Sequence, residues 1–214
     1  MTKKVVVLGD MVKSAKTKER DELQKHLIYV CKIINKNFSP EIYAPFKITR
    51  GDEVAGVLNK PEKSYKIIFT FRDLLFPYSI RFVVVYGELT AGLETKDVSI
   101  IDGPAFTIAN DKLQESKRKD HFILFLLYEN YLDRTMTILS DLSHWIRMGW
   151  TLRQRKAIEL YLKLGTQEKV ARKLGITQQN VAKLLKSANF EKVKEAEEIL
   201  EELLIQIQPK WVVK

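Results

Sequence analysis

The stretch Thr166-Gln167-Glu168-Lys169-Val170-Ala171-Arg172-Lys173-Leu174-Gly175-Ile176-Thr177-Gln178-Gln179-Asn180-Val181-Ala182-Lys183-Leu184-Leu185 decides how the second half of the chain folds. Val170, Leu174, Ile176, Val181 and Leu184 are apolar where two short crossed helices bury their contact, and Ala171 is small where the second passes the first. Gly175 stands where the first helix ends and the backbone turns through positive φ, a conformation that glycine adopts without steric cost. Thr177 then caps the second helix. The pattern is that of a helix-turn-helix, a unit that sets a short helix into the DNA major groove. Gln178, Gln179, Asn180 and Lys183 fall on the outward face, where amides pair with base edges. Arg172, Lys173 and Lys186 lie nearby as candidate phosphate contacts, and Thr177 joins the candidate DNA-binding set. The alternative is a helical hairpin that serves packing alone.

Charge favours the first reading. Residues 151–190 carry nine Lys/Arg against Glu159 and Glu168, which is +7 of the chain's net +9. A surface made basic only for solubility would spread its excess. This one concentrates it, as phosphate neutralisation and counterion release require.

Composition bounds the rest. A chain of 214 residues with 45% hydrophobic and 29% charged residues has enough apolar material for one large or two small folded, soluble domains. The single Cys31 excludes an internal disulfide framework, suits a reducing cytoplasm, and sits among apolar residues as packing. Three His and one Cys argue against a zinc site. No secretory signal is visible, and the apolar run from His121 is broken by Glu129, Asp133 and Arg134, so no membrane span is expected.

Ahead of the basic module, residues 3–8 form a short β-branched run that predicts a buried strand, and 17–38 has helical spacing through Leu23, Leu27, Val30 and Ile34. Residues 46–49 and 53–58 predict two strands joined at Arg50-Gly51-Asp52. Helix is expected over 64–75, strand over 80–86, and helix over 105–117 after Asp102-Gly103-Pro104. A long apolar helix is expected over 121–147. The order β-α-β-β-α-β-α is that of an α+β, ferredoxin-like split sheet with helices on one face. The expected domains are 1–148, 149–190 and a C-terminal segment 191–214.

Two acids stand where packing alone does not require them. Asp10 ends the first strand in Leu8-Gly9-Asp10-Met11-Val12-Lys13-Ser14, and Asp52 lies at the hairpin tip. A split sheet makes that strand and hairpin neighbours, so both carboxylates reach one edge. Two such groups, with a backbone carbonyl and substrate phosphates, form the usual nest for Mg²⁺ or Mn²⁺. Taken singly, each is more often a turn residue bonded to local N–H groups than a metal ligand. Gly51, Glu53, Lys13 and Ser14 are the candidate nucleotide or ligand contacts around the pair, with Glu53 either a third ligand or a solvent-facing residue of the next strand, and Ser14 equally a helix cap.

Gly9-Asp10-Met11-Val12, Arg50-Gly51-Asp52-Glu53-Val54, the strand 80–88 and the segment 102–109 resemble, in order and spacing, the palm of class III nucleotidyl cyclases and their diguanylate-cyclase relatives. The resemblance covers residues 3–116 and implies a nucleotidyl cyclase-like fold with Asp10 and Asp52 as metal ligands. It also implies an Asn and an Arg on the helix of 105–117, where this chain has Thr107 and Asp111. A carboxylate there repels a developing phosphorane, so ordinary cyclase activity is not expected. The stretch 166–185 resembles bacterial-type helix-turn-helix modules, including sigma-factor region four. With the Gly-Asp start, the Gly-Asp-Glu turn and Trp150-Thr151-Leu152-Arg153-Gln154, the chain resembles the SatD family to about residue 187. That resemblance implies a DNA-binding architecture without an assigned chemistry.

Residues 191–208 predict a helix with a heptad seam of Val193, Ala196, Leu200, Leu203 and Ile207, widened by Ile199 and Leu204. Two heptads serve a homodimer or packing against the chain's own body about equally, and Trp211-Val212-Val213 would dock on either. The leading expectation is a cytoplasmic DNA-binding transcriptional regulator with a ligand, metal or interaction domain ahead of its reader. The runner-up is a metal-dependent nucleotidyl transferase or cyclase-like enzyme guided by nucleic acid, and the third a protein-interaction scaffold.

Overall fold

Val5, Val6 and Val7 are β-branched, and all three are wholly buried at the centre of strand β1, Thr2–Met11. A strand buried on both faces needs an unbroken apolar run, and 5–8 supplies it. The computed structural model describes residues 2–12, 20–127 and 130–206. After β1 come α1 (Arg20–Asn37), β2 (Ile42–Arg50), β3 (Glu53–Leu58), α2 (Ser64–Leu75), β4 (Ile80–Leu89), α3 (Pro104–Lys119), β5 (Ile123–Leu126) and α4 (Asn130–Met148). Then follow α5 (Leu152–Leu164), α6 (Gln167–Leu174), α7 (Gln178–Ser187) and α8 (Phe190–Gln206).

The sheet order is β2-β3-β1-β4-β5. The first four strands are antiparallel in the ferredoxin-like split βαβ arrangement, and β5 joins β4 in parallel. The fold is therefore α+β, as expected. Alternation along the strands separates two layers. Phe82 meets Phe71 of α2, with ring centroids 5.5 Å apart, on one face. Val83 and Val85 join Ala105, Ala109 and Leu113 of α3 on the other. The expectation of helices on one face holds for α1 and α2, whereas α3 covers the opposite face. Gly9 belongs to the first face because a Cβ there would lie 2.5 Å from Phe82 Cε1 and 2.8 Å from Val54 Cγ2.

The helix expected over 121–147 is corrected. Residues Ile123–Leu126 are a strand, and the helix begins at Asn130. A short apolar run reads alike as buried strand or helix by periodicity alone, and here a free edge of β4 was available to pair with it. The new edge is covered in turn. Phe125 N–H donates to Thr137 Oγ1 at 3.1 Å and Leu127 N–H to Asp133 Oδ1 at 3.0 Å, so α4 satisfies donors that an edge strand leaves open.

The described residues up to Ile138 and those from Glu201 form one compact unit, and Leu139–Leu200 form a second. No described helix is long and apolar enough to cross a membrane. The starting part of the 17–38 helix, Lys13, Ser14, Ile207 and the 211–213 tail lie outside the described residues.

Candidate functional site

The second unit builds its helices from local signals. Thr151, Thr166 and Thr177 cap α5, α6 and α7, each side-chain oxygen accepting from the backbone N–H three residues on. Gly165 and Gly175 end α5 and α6 in the left-handed region, at φ +80° and +65°. The core of this unit holds Trp150, Ile158, Val170, Ala171, Val181, Leu185 and Val193, with Leu174 and Ile176 packed beside it. Leu184, expected in that contact, is only partly buried, and Leu185 takes the core position. The two leucines are adjacent on α7 and about 100° apart around its axis, so the rotation at which the helix packs selects between them.

The Trp-Thr-x-x-Gln segment is a fastening. Trp150 Nε1–H donates to the carbonyl of Ala188 at 2.7 Å. Thr151 and Gln154 form a reciprocal capping box, and Gln154 Nε2 also donates to Ser187 Oγ at 3.0 Å. These bonds tie the start of α5 to the end of α7. They fix the orientation of α7 within its unit.

The outward side of α6 and α7 exposes Arg172, Lys173, Thr177, Gln178, Gln179, Asn180, Lys183 and Lys186, every sequence-predicted reader residue. Arg172 pairs with Glu168 at 2.8 Å, and the Thr177 hydroxyl is spent on its cap. Among the cations of the basic stretch Arg155 differs. Its guanidinium donates to the carbonyl of Arg147 and lies 6.0 Å from the Trp150 ring, so it serves the fold. In α8, Val193 and Leu200 are buried within the chain and Ile199 is 44% exposed.

In the first unit, β1 delivers Asp10 to the face covered by α3. Its register partners are Glu53 on β3 and Arg81 on β4. Asp52 lies at the hairpin tip, where Gly51 has φ +57° and its carbonyl accepts from Gln24 Nε2 of α1 at 2.9 Å. Lys117 of α3 brings its ammonium to 3.0 Å from Asp10 Oδ2. Arg81 reaches Asp120 at 3.1 Å. Burial raises the Asp10 pKa; Lys117 opposes that shift, and the negative charge of Asp52 adds to it. Lys117 was not among the residues singled out from sequence, since only the packing of α3 brings it there. Thr107 and Asp111 are exposed on α3, and Lys47 forms an ion pair with Asp97.

The donor set at Asp10 is thus one carboxylate with Glu53 as its register partner and an ammonium on one of its oxygens. Hard divalent cations favour a nest of oxygens only. Among the described residues no group of three or more His, Cys, Asp or Glu is placed to hold a metal ion.

Compared with known proteins, the chain matches the model of the SatD family over residues 4–203. No curated protein matches it. Among solved structures, a bacterial light-regulated adenylyl cyclase aligns at 14% identity and a TM-score of 0.42, over 58% of this chain and 43% of that one. The guanylyl cyclase domain of the RhoGC fusion protein from the aquatic fungus Blastocladiella emersonii aligns at 19% identity and a TM-score of 0.38, over 52% and 72%. The chain thus spans less than half of the adenylyl cyclase chain.

Proposed function

We propose, for a chain that belongs to the SatD family, that it is a cytoplasmic DNA-binding transcriptional regulator whose reader is α7 and whose first unit is a ligand or interaction module. One observation carries the reading. The helix buries Val181 and Leu185 while turning Gln178, Gln179, Asn180, Lys183 and Lys186 outward, amides and ammonium groups at the spacing of a major-groove helix. Arg172 and Lys173, at the end of α6, extend the basic face toward the phosphates. Gly51 and Glu53 beside the Asp10–Asp52 pair are the ligand contacts proposed for the first unit. Ile199 and Ile205 are apolar groups that α8 leaves exposed for pairing two copies into a two-fold reader.

Fluorescence anisotropy with labelled duplex DNA tests the reading. The affinity should fall steeply with salt, and Lys183→Ala should weaken it about tenfold. Binding that ignores salt and is unchanged in Lys183→Ala would remove the proposal.

A second reading, metal-dependent nucleotidyl transfer guided by nucleic acid, draws on Asp10 at the end of β1 and Asp52 at the tip of the neighbouring hairpin. It requires product from a nucleoside triphosphate with Mg²⁺ or Mn²⁺ that is lost in Asp10→Ala and Asp52→Ala. The carboxylate at Asp111, where the cyclase resemblance implies an Arg, weighs against it.

A further inference from the structure

We infer that Lys117 is the resident cation of the carboxylate site: its ammonium takes the place of a divalent metal on Asp10 and keeps Mg²⁺ and Mn²⁺ out. The inference concerns the first unit alone and stands whether or not α7 reads DNA. Register sets Asp10 between Glu53 and Arg81 on one face, and directly opposed like charges such as Asp10 and Glu53 repel. Asp52, the residue before Glu53 at the hairpin tip, adds a third negative charge. Such a cluster needs compensation, and the chain supplies it internally.

Lys117 is held to that task by its place on α3. It lies one helical turn after Leu113, on the same side of the helix, and Leu113, Ala109 and Ala105 are buried against the sheet. The ammonium therefore arrives with a packed helix and not on a free surface arm. It also stands in the last turn of α3, with Arg118 and Lys119, where the helix dipole favours positive charge. The Asp10 side chain is 13% exposed and that of Lys117 32%, so solvent screens their pairing only in part.

A divalent ion on Asp10 would sit about 2.0–2.6 Å from a carboxylate oxygen. That is within a few ångströms of the Lys117 nitrogen, which already holds Oδ2. Arg81, the neighbour of Asp10 on β4, adds a second positive charge on the same face. Binding the metal thus means expelling Lys117 and leaving its charge without its partner.

Full-length protein titrated with MnCl₂, with free Mn²⁺ read by electron paramagnetic resonance, tests this directly. The wild type should take up no stoichiometric Mn²⁺. Lys117→Ala should bind it at least about tenfold more tightly than the wild type, and adding Asp10→Asn or Asp52→Asn should abolish the gain. Lys117→Met keeps the packed stem and should behave like Lys117→Ala, which separates loss of charge from loss of fold; circular dichroism checks each variant. Lys117→Arg should stay closed to the ion. Stoichiometric uptake by the wild type that Asp10→Asn removes overturns the inference. So does a well-folded Lys117→Met that binds no better than the wild type.

Discussion

Gly175 has φ +65° and no atom within 4 Å of where a Cβ would stand, so its requirement is purely one of backbone conformation. Gly175→Ala should cost about 1 kcal/mol. Gly9 is the opposite case: its backbone is an ordinary strand, but a Cβ would press on the buried Phe82 and Val54, and Gly9→Ala should cost about 1–3 kcal/mol. Urea unfolding at one pH measures both. Titration gives a third check at this scale. Asp97, held by Lys47 and by the N–H and hydroxyl of Ser99, and Glu115, held by Lys112 and Lys119, are each pulled down to about 2. Their folded pKa values lie below the unfolded ones, so their stabilisation is present above about pH 4 and is lost as pH falls toward 2. Asp10 has the reverse sign. Burial raises its folded pKa, so its contribution falls as pH rises through and above the ordinary Asp range. Asp97→Asn should flatten the acid limb of stability against pH, and Asp10→Asn should remove the opposing slope. The Cys31 thiol, pushed up to about 12 by burial, should react with a thiol reagent only as the protein opens.

At the scale of elements, helices of eight to ten residues such as α6 and α7 have little stability of their own and depend on their ends and their packing. Thr166→Ala and Thr177→Ala should each cost about 1 kcal/mol, and Thr177→Asn should recover most of the second loss. Trp150→Phe keeps an aromatic ring but removes the indole N–H that donates to the Ala188 carbonyl, a loss of about 1–3 kcal/mol. Thermal unfolding followed by circular dichroism compares the four variants. The Gly175 end of α6 and the Thr177 cap of α7 were legible because each rests on one or two adjacent residues. The strand β5 was not, because Ile123–Leu126 carries no turn signal of its own and becomes a strand only through pairing with β4. The choice of Leu185 over Leu184 was equally hidden, since the two differ by one position on a helix whose rotation is set by neighbours in space.

For the molecule as a whole, the placement of charge makes the strongest measurable statement. Arg153, Lys156, Lys163, Lys169, Arg172, Lys173, Lys183 and Lys186 are exposed in the second unit. If about four of them neutralise phosphates, log affinity should fall with log salt at a slope of roughly −3.6, and each contact removed should lessen it by about one. Mutating the first unit at Lys117 should leave that slope unchanged, because no part of it depends on the carboxylate site.

The sequence by itself determined the alternation of elements in the split sheet, the capped and glycine-terminated helices of the basic module, and the concentration of positive charge there. These follow from periodicity, from single-residue backbone preferences and from composition, all of which act over a few neighbouring positions. It also placed Asp10 at the end of a strand and Asp52 at a turn. Only the tertiary structure decided what Asp10 meets. The packing of α3 onto the second face of the sheet carries Lys117 to it from 107 positions away in the chain. No local rule links residues so far apart; burial of Ala105, Ala109 and Leu113 does.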